Sequence, residues 1–445
     1  MRRDRAAWAL AVIVSLALVM APALWNGFPI LYPDIGGYLA RPIEHNLELG
    51  RSALYGLFLL AGAPLAFWPN VLAQAALIVW LIARTLRCHR PGAKPWLVVA
   101  VVFGLCLASA LPWYVSTLQP DILLPAAVLA MLLLAFGGDR LRCFEVLGLV
   151  AVIVLAIASH MGTLALCLGL LVALALLRWL QLPRSRLALP AFATAAGLLL
   201  APLSNFAITG QFAFTPGGET FLFGRLVQDG IVQRYLADHC PDQSIRLCAY
   251  KDRMPATADE WLWAPGNPIG ELGGWRGYAA EERRIILDTL RLYPGEHLKT
   301  ALRSTAQQLT MMQTDVSLVP DWIAPGLTAM RRLEPQLMPP IEASRQIAQA
   351  DSFAKFLARL NVVHVGVAAL AILALLAIAL FGRHCKIEPP TVAGAWFVLI
   401  ALAGNAAICG IFSNPVDRYQ SRIVWLAPLA VAVAVASRKD ARRAP

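Results

Sequence analysis

Five residues with side chains capable of chemistry stand at the ends of long apolar segments of this chain. They combine two carboxylates with an imidazole, a guanidinium and a phenol, and they are Asp34, Asp121, His160, Arg418 and Tyr419. Ionisable groups at the boundary of an apolar segment are costly to keep there, so they commonly mark a functional site. Two arginines that flank a short apolar stretch after the first carboxylate, Arg41 and Arg51, could add positive charge.

These residue types together suit an anionic substrate that carries a lipid tail. Arg418, Arg51 and His160 could neutralise a phosphate, because arginine in particular forms bidentate contacts with phosphate oxygens. Asp34 could accept a proton from an attacking hydroxyl while a lipid phosphate leaves. One base with several phosphate-binding groups predicts that the hydroxyl displaces the phosphate directly, with inversion at the carbon that carried it. A hydrolase would instead use a pair of carboxylates.

The elements that must position these residues are membrane helices. Hydrophobic residues make up 58% of the chain, charged residues only 15%, and the mean hydropathy is +0.62. A soluble domain would carry about a quarter charged residues, whereas apolar runs of about 20 residues can cross a bilayer. A membrane barrel would instead show alternating strands of about 10 residues. The composition therefore predicts an all-α, polytopic membrane protein.

The hydropathy pattern predicts ten transmembrane spans. They lie near residues 7–25, 69–87, 96–112, 121–138, 144–159, 163–180, 187–208, 361–381, 391–412 and 423–437. Every second connection is basic, which predicts that these connections and both termini are cytoplasmic. The net charge of +11 thus reflects topology rather than nucleic-acid binding. The first segment lacks a small-residue cleavage site, which favours a retained span in the cytoplasmic (inner) membrane.

Two of the outward-facing connections are long. The first, residues 26–68, holds Asp34, and Pro29 and Pro33 should stiffen it while Gly36 and Gly37 let it bend. Its apolar stretch 52–61 is too short to span and predicts an interfacial helix. The second, residues 209–359, is too large for a linker and predicts a mainly helical extracytoplasmic domain. It separates a seven-span module, residues 1–208, from a three-span module, residues 360–445.

The large outward connection contains two further sets of candidates. Cys240 and Cys248 are close in sequence, and an oxidising compartment favours a disulfide between them over two free thiols. No metal site is predicted there. Glu219, Arg225 and Asp229 follow the seventh span at the membrane surface and are candidates for the side of the site that receives an acceptor.

Four motifs resemble those of the GT-C superfamily of integral membrane glycosyltransferases. In chain order they are Tyr32-Pro-Asp34-Ile-Gly-Gly-Tyr38, Arg51-Ser-Ala-Leu-Tyr-Gly-Leu-Phe-Leu59, Gln119-Pro-Asp121-Ile-Leu-Leu and Asp417-Arg-Tyr419 before a last helix with Pro428. The resemblance covers the first seven spans and the C-terminal end. It rests on the order of the motifs relative to the spans, since no motif alone is specific.

The resemblance implies transfer of a sugar from a polyprenyl-phosphate donor to a lipid, glycan or protein outside the cytoplasmic membrane. Asp34 would correspond to the catalytic acidic residue of the first outward loop, and Asp121 to a second acidic position near it. His160 and Arg418 would hold the donor phosphate. Many members have two adjacent acidic residues where this chain has Asp34 and Ile35. That departure leaves the acceptor class and any need for a divalent cation open.

Other interpretations remain open on the sequence alone. Asp34 and Asp121 could be helix caps, His160 could satisfy backbone groups, and Arg418 could be an interfacial anchor. The chain could also be a polymerase or ligase of lipid-linked glycans, which shares the orientation and the substrate. A transporter or flippase would be expected to show repeats and ionisable groups near mid-membrane. A non-catalytic scaffold would leave the polar set unexplained.

Overall fold

The computed structural model describes residues 2–46, 49–179, 185–314, 318, 320–385 and 387–441. The fold is all-α, since 81% of it is helix and no strand occurs in the described ranges. The first helices are α1 Arg2–Val19, α2 Ala21–Asn26, α3 Ile35–Glu44, α4 Ala53–Gly62, α5 Trp68–His89, α6 Pro95–Ala108, α7 Leu111–Ser116, α8 Leu123–Phe136, α9 Cys143–Ser159, α10 Met161–Trp179 and α11 Ala188–Thr209.

Further helices, most of them short, lie between α11 and the last four helices. They are α12 Gly218–Gln228, α13 Ile231–His239, α14 Ala258–Trp263, α15 Pro268–Glu271, α16 Gly274–Leu292, α17 Pro294–Thr310, α18 Pro320–Leu333, α19 Met338–Glu342 and α20 Arg345–Ala348. The last four helices are α21 Ala350–Phe381, α22 Pro389–Phe412, α23 Asp417–Val424 and α24 Leu426–Ala441.

Six helical segments in the described ranges are long and apolar enough to cross a membrane. They are Trp68–His89, Met161–Arg178, Ala188–Thr209, Ala350–Phe381, Pro389–Phe412 and Asp417–Ser437. The predicted count of ten spans is therefore not confirmed. Three predicted spans correspond to apolar helices of at most 17 residues, Pro95–Ala108, Pro120–Phe136 and Cys143–Ser159. The first predicted span is interrupted at Met20, between α1 and α2, and α1 begins with charged residues.

The short helix α8 is the central element of the apolar bundle. Every side chain from Leu124 to Ala135 is buried, so no face of this stretch is left open. It is packed by α5, α9, α10, α11 and α22. Fourteen residues rise by about 21 Å, less than the roughly 30 Å of a bilayer core, and neighbouring helices enclose α8. Its N-terminal end, which starts just after Asp121, is therefore buried among protein.

The loop that was expected to bend around Gly36 and Gly37 is instead part of helix α3. Gly36 on α3 and Gly56 on α4 serve close packing there. A Cβ atom on Gly36 would lie 2.2 Å from the Cβ of Ala329 on α18, and one on Gly56 of α4 would lie 2.2 Å from the carbonyl oxygen of Tyr38. Helix α3 is thus clamped between α4 and α18, and Asp34 at its start has a fixed position.

Residues 218–310, which include α12 to α17, are here called the helical insert, and α12 to α16 share an apolar core of their own. Phe223, Trp261 and Tyr278 are fully buried in it. Cys240 and Cys248 are joined by a disulfide bond that closes the loop after α13. Helices α18 to α20 share a different apolar core with the first loop, in which Ile323 and Met330 meet Tyr38.

A buried acidic side chain in the insert gives its stability a pH dependence. Glu282 is fully buried, and its Oε2 accepts a hydrogen bond from Thr220 Oγ1 at 2.7 Å. Burial raises the pKa of Glu282 from 4.5 to about 7, because a carboxylate loses hydration when it is buried. The ionised form therefore disfavours folding. The contribution of Glu282 to stability should be most favourable below pH 4.5, become less favourable as the pH rises to about 7, and then level off.

We expect Glu282→Gln to remove this loss of stability, which amounts to roughly 3 kcal/mol between the two limits. Native-state hydrogen exchange of the α16 amides, corrected for intrinsic exchange and measured from pH 5 to pH 8, reports the local free energy of opening. Glu271→Gln is the control, because Glu271 forms a surface ion pair with Arg253. The same pH slope in wild type and Glu282→Gln would contradict the assignment.

Candidate functional site

Two aspartates and three arginines from distant parts of the chain meet at one end of the bundle. This group, here called the Asp–Arg cluster, consists of Asp34, Arg51, Asp121, Arg418 and Arg422. Asp34 directly precedes α3, and Arg51 lies just before α4. Asp121 is in the 3₁₀ turn Pro120–Ile122 that leads into α8, and both remaining arginines are on α23.

Asp121 is the buried centre of the cluster, with 1% of its surface exposed. Arg418 Nε donates to its Oδ2 at 2.6 Å, and Arg422 Nη1 donates to its Oδ1 at 2.8 Å. The spacing of four residues puts both guanidinium groups on the same face of α23. A buried carboxylate needs such paired donors, because an unpaired charge in an apolar interior is strongly unfavourable.

Asp34 is the more accessible carboxylate, with 17% of its side chain exposed. Its Oδ1 accepts from Arg51 Nη2 at 2.5 Å, and its Oδ2 accepts from Arg418 Nη1 at 3.4 Å. Arg418 thus contacts both aspartates. The amide of Gln119 packs against the same guanidinium, and the orientation that satisfies both groups turns its oxygen toward Arg418.

His160 reaches the cluster from the turn between α9 and α10. Its Nε2 lies 3.3 Å from Arg422 Nη1 and 3.9 Å from Asp121 Oδ1. Burial, reinforced by the positive charge of Arg422, lowers the pKa of His160 to about 3, so the ring is neutral at physiological pH. A neutral His160 whose Nε2 accepts from Arg422 carries its proton on Nδ1. That buried nitrogen has no hydrogen-bond partner in the described part of the chain.

The formal charges of the cluster leave a positive excess. Three guanidinium groups face two carboxylates, and the neutral His160 adds no charge, so the balance is +1. Coulombic interactions are stronger in a poorly hydrated site than in water. The cluster is therefore suited to an anionic group, to which His160 would contribute a hydrogen bond rather than a charge.

Tyrosine rings line the arginines. The guanidinium of Arg418 lies 4.4 Å from the ring centroid of Tyr32, and that of Arg422 lies 5.0 Å from the ring of Tyr419. Tyr38 is 5.9 Å from the guanidinium of Arg51. Cation–π contacts of this kind hold the planar groups in place while leaving their N–H edges to other partners.

The helix-cap alternative does not describe the two aspartates. Asp34 occupies the position before α3, but its side chain makes no capping hydrogen bond. Asp121 lies inside the 3₁₀ turn, and no side chain caps α8. Both carboxylates are directed to guanidinium groups instead.

The other candidate residues lie in different surroundings. Arg41 is fully buried and donates to Asn205 Oδ1 at 2.9 Å, which ties α3 to α11.

In the insert, Glu219 pairs with Arg283 at 3.0 Å. Arg225 pairs with Asp229 at 2.5 Å and donates to Ser304 at 2.6 Å. These contacts brace α12 against α16 and α17, and no described contact joins this acceptor-side set to the Asp–Arg cluster.

Three members of the site were missed from the sequence, namely Arg422, Gln119 and Tyr32. Arg422 had a usable signal, since it follows Arg418 by four residues on one face of a helix. Gln119 and Tyr32 sit in the motifs around the aspartates, but their types and spacing indicate no role. No group of three or more His, Cys, Asp or Glu residues able to hold a metal ion occurs among the described residues.

Comparisons of the chain with protein-family models, with curated proteins and with solved structures find no match.

Replacing Asp121 should destabilise the fold strongly, because it leaves two buried guanidinium groups without their carboxylate. We expect Asp121→Asn to lower the free energy of unfolding by about 3–5 kcal/mol. The measurement is unfolding in mixed detergent micelles followed by circular dichroism. Asp139→Asn is the matched control, since Asp139 pairs with Arg186 at 2.9 Å on the surface and its loss should change stability little. Equal effects of the two substitutions would contradict a buried, stabilising cluster.

Proposed function

We propose that this protein is a membrane glycosyltransferase of the GT-C type. It would transfer a hexosyl or pentosyl group from a polyprenyl-phosphate donor to a lipid, glycan or protein acceptor. The observation that carries the proposal is the contact of Arg418 with both aspartates. It places one accessible carboxylate within a positively charged site at the end of an apolar bundle, where a lipid phosphate and a hydroxyl acceptor could meet.

The phosphate of the donor would take the arginines as its partners. Arg51 and Arg418 are the two guanidinium groups with partial exposure, at 17% and 11% of their side chains, whereas Arg422 is at 1%. Guanidinium groups bind phosphate oxygens through parallel N–H donors. Arg422 would stay with Asp121 and keep the buried half of the site intact.

Asp34 would act as the general base. The acceptor hydroxyl attacks the anomeric carbon, the bond from that carbon to the phosphate oxygen breaks, and its electron pair leaves on the polyprenyl phosphate. The hydroxyl proton passes to Asp34, and the configuration inverts because a single displacement occurs. The phosphate is stabilised by arginines that are already in place, which is the usual largest contribution to such a reaction.

The resting contacts suggest the order of donor binding and acceptor activation. Both oxygens of Asp34 are held by Arg51 and Arg418. A bound phosphate would compete for those same guanidinium groups and release the carboxylate to meet the acceptor hydroxyl. Donor binding would thus precede activation of the acceptor.

In this proposal the site faces the extracytoplasmic side of the inner membrane, and both termini are cytoplasmic. The basic connections between the apolar segments support that orientation. The acceptor would approach from the side of the helical insert.

Replacing the base should abolish transfer without unfolding the protein. We expect Asp34→Asn to lower turnover at least 100-fold while donor binding persists, because the arginines remain. The assay measures release of free polyprenyl phosphate from a panel of polyprenyl-phosphate sugars by protein in nanodiscs, with circular dichroism as the check on folding.

Asp139→Asn is the control, because Asp139 is also paired with an arginine, Arg186, on the surface beyond the opposite end of α8. None of the contacts described for the site involves Asp139, so its loss should leave turnover unchanged. Undiminished turnover in Asp34→Asn would rule out its role as base. If wild-type protein neither binds nor turns over any donor, the transporter or scaffold interpretation takes precedence.

A further inference from the structure

A large aromatic side chain of the insert stands half exposed beside the Asp–Arg cluster. Trp263 has 51% of its surface exposed, although Trp261, two residues earlier, is fully buried. The guanidinium carbon of Arg51 lies 5.9 Å from the centroid of the Trp263 ring. Because Arg51 is paired with Asp34, only one side chain separates Trp263 from the accessible carboxylate.

The local sequence dictates this outward placement. Helix α14 is fixed at its start by a capping box, in which Thr257 accepts from the backbone of Glu260 and the Glu260 side chain accepts from the backbone of Thr257. Successive helical residues turn by about 100°, so side chains two apart point to opposite sides. Trp261 packs on Phe223, with ring centroids 5.0 Å apart. Its burial in the insert core therefore turns Trp263 outward.

A second aromatic ring extends this surface. Phe221, at the start of α12, has its centroid 6.3 Å from that of Trp263, with the rings inclined at 61°. Phe221 also packs on Gly50, where an added Cβ would lie 2.8 Å from the ring. Gly50 has a φ of +67° and directly precedes Arg51. The aromatic pair and the arginine are thus held together by a tight turn.

This surface offers an apolar ring face next to a guanidinium and a carboxylate. A sugar ring matches both, since it has an apolar C–H face and a rim of hydroxyl groups that donate and accept hydrogen bonds. A prenyl chain would match the tryptophan only, and it would shield Arg51 and Asp34 from water without offering them a partner, which is unfavourable. Binding sites commonly combine apolar walls with a few placed polar groups in this way.

We propose that Trp263 is the stacking platform of a saccharide-binding subsite, with Asp34 at the hydroxyl rim, Phe221 as a side wall and Arg51 at the boundary between this subsite and the donor phosphate. The inference rests on the proposed function in one respect, that the bound ring belongs to the acceptor. The subsite lies on the insert side of Asp34, whereas Arg418 lies on the side of Asp121. The acceptor is thereby assigned to the class of glycans and glycosides.

Fluorine NMR on full-length protein in nanodiscs tests this without requiring turnover. The 13 tryptophans are replaced biosynthetically by 5-fluorotryptophan, and the Trp263 resonance is assigned from the Trp263→Phe variant. The probes are methyl glycosides and disaccharides of common hexoses and pentoses. We expect a saturable shift of the Trp263 resonance with at least one probe. Saturation-transfer titrations should show binding at least tenfold weaker in Trp263→Ala and intermediate in Trp263→Phe.

Trp96→Ala is the matched control, because Trp96 is 49% exposed at the start of α6 and makes none of the contacts described for the site. Equal glycoside affinity in wild type and Trp263→Ala would overturn the proposal. So would a Trp263 resonance that moves with polyprenyl phosphate but with no glycoside, since that result assigns the ring to lipid.

The absence of any Trp263-dependent glycoside binding at millimolar concentration would also overturn it. The outcome is separable from the proposed function, because glycoside binding needs no donor. Binding at Trp263 together with failure of every donor would remove the transferase and leave the subsite.

Discussion

The structure depends on the burial of Asp121 at the start of the central helix α8. Two guanidinium groups from α23 satisfy this carboxylate: Arg418 donates to both of its oxygens and Arg422 donates to Oδ1. Arg418 extends the network to Asp34. The pairs join residues 297 and 384 positions apart in the chain. Since a buried charge is tolerated only when paired, the network fixes how the N-terminal helices, the first loop and the C-terminal helices meet.

The two aspartates have different roles because their surroundings differ. Asp121 is enclosed together with its arginine partners. Replacing those partners by a ligand would leave a buried charge unpaired in an apolar interior. Asp34 sits at the rim, where the proposed donor phosphate would take over the contacts of Arg51 and Arg418. The inner half of the cluster therefore stabilises the fold and holds the outer half in place. Such a division lets a site exchange partners at its rim without losing its structure, which is what preorganised electrostatic stabilisation requires.

Much of this arrangement could be predicted from the sequence, and the exceptions have physical reasons. Asp34, Asp121, His160 and Arg418 were expected together because each stands at the same end of an apolar segment. The count of ten spans was not confirmed, since hydropathy does not distinguish a helix enclosed by protein, such as α8, from one matched to a bilayer. Gly36 was expected in a flexible loop but lies in α3, because its close contact with Ala329 is a tertiary feature. Arg225 and Asp229 pair with each other within the insert, and their spacing of four residues was an available local signal for that pair.

Hydrogen bonds join the insert to the start of α23, and this connection would help to align the two proposed substrates. Gln308, fully buried on α17, donates to the carbonyl of Val416 at 2.8 Å and accepts from its N–H at 3.0 Å. Val416 immediately precedes α23, and Asp417 accepts from the backbone of Gln313. Helix α17 thus holds the start of the helix that carries Arg418, while α12 and α14 of the same insert carry Phe221 and Trp263. A phosphate bound to Arg418 and a sugar ring stacked on Trp263 would therefore both be positioned by helices of the insert. Alignment of this kind supplies much of the advantage of bringing two reactants together.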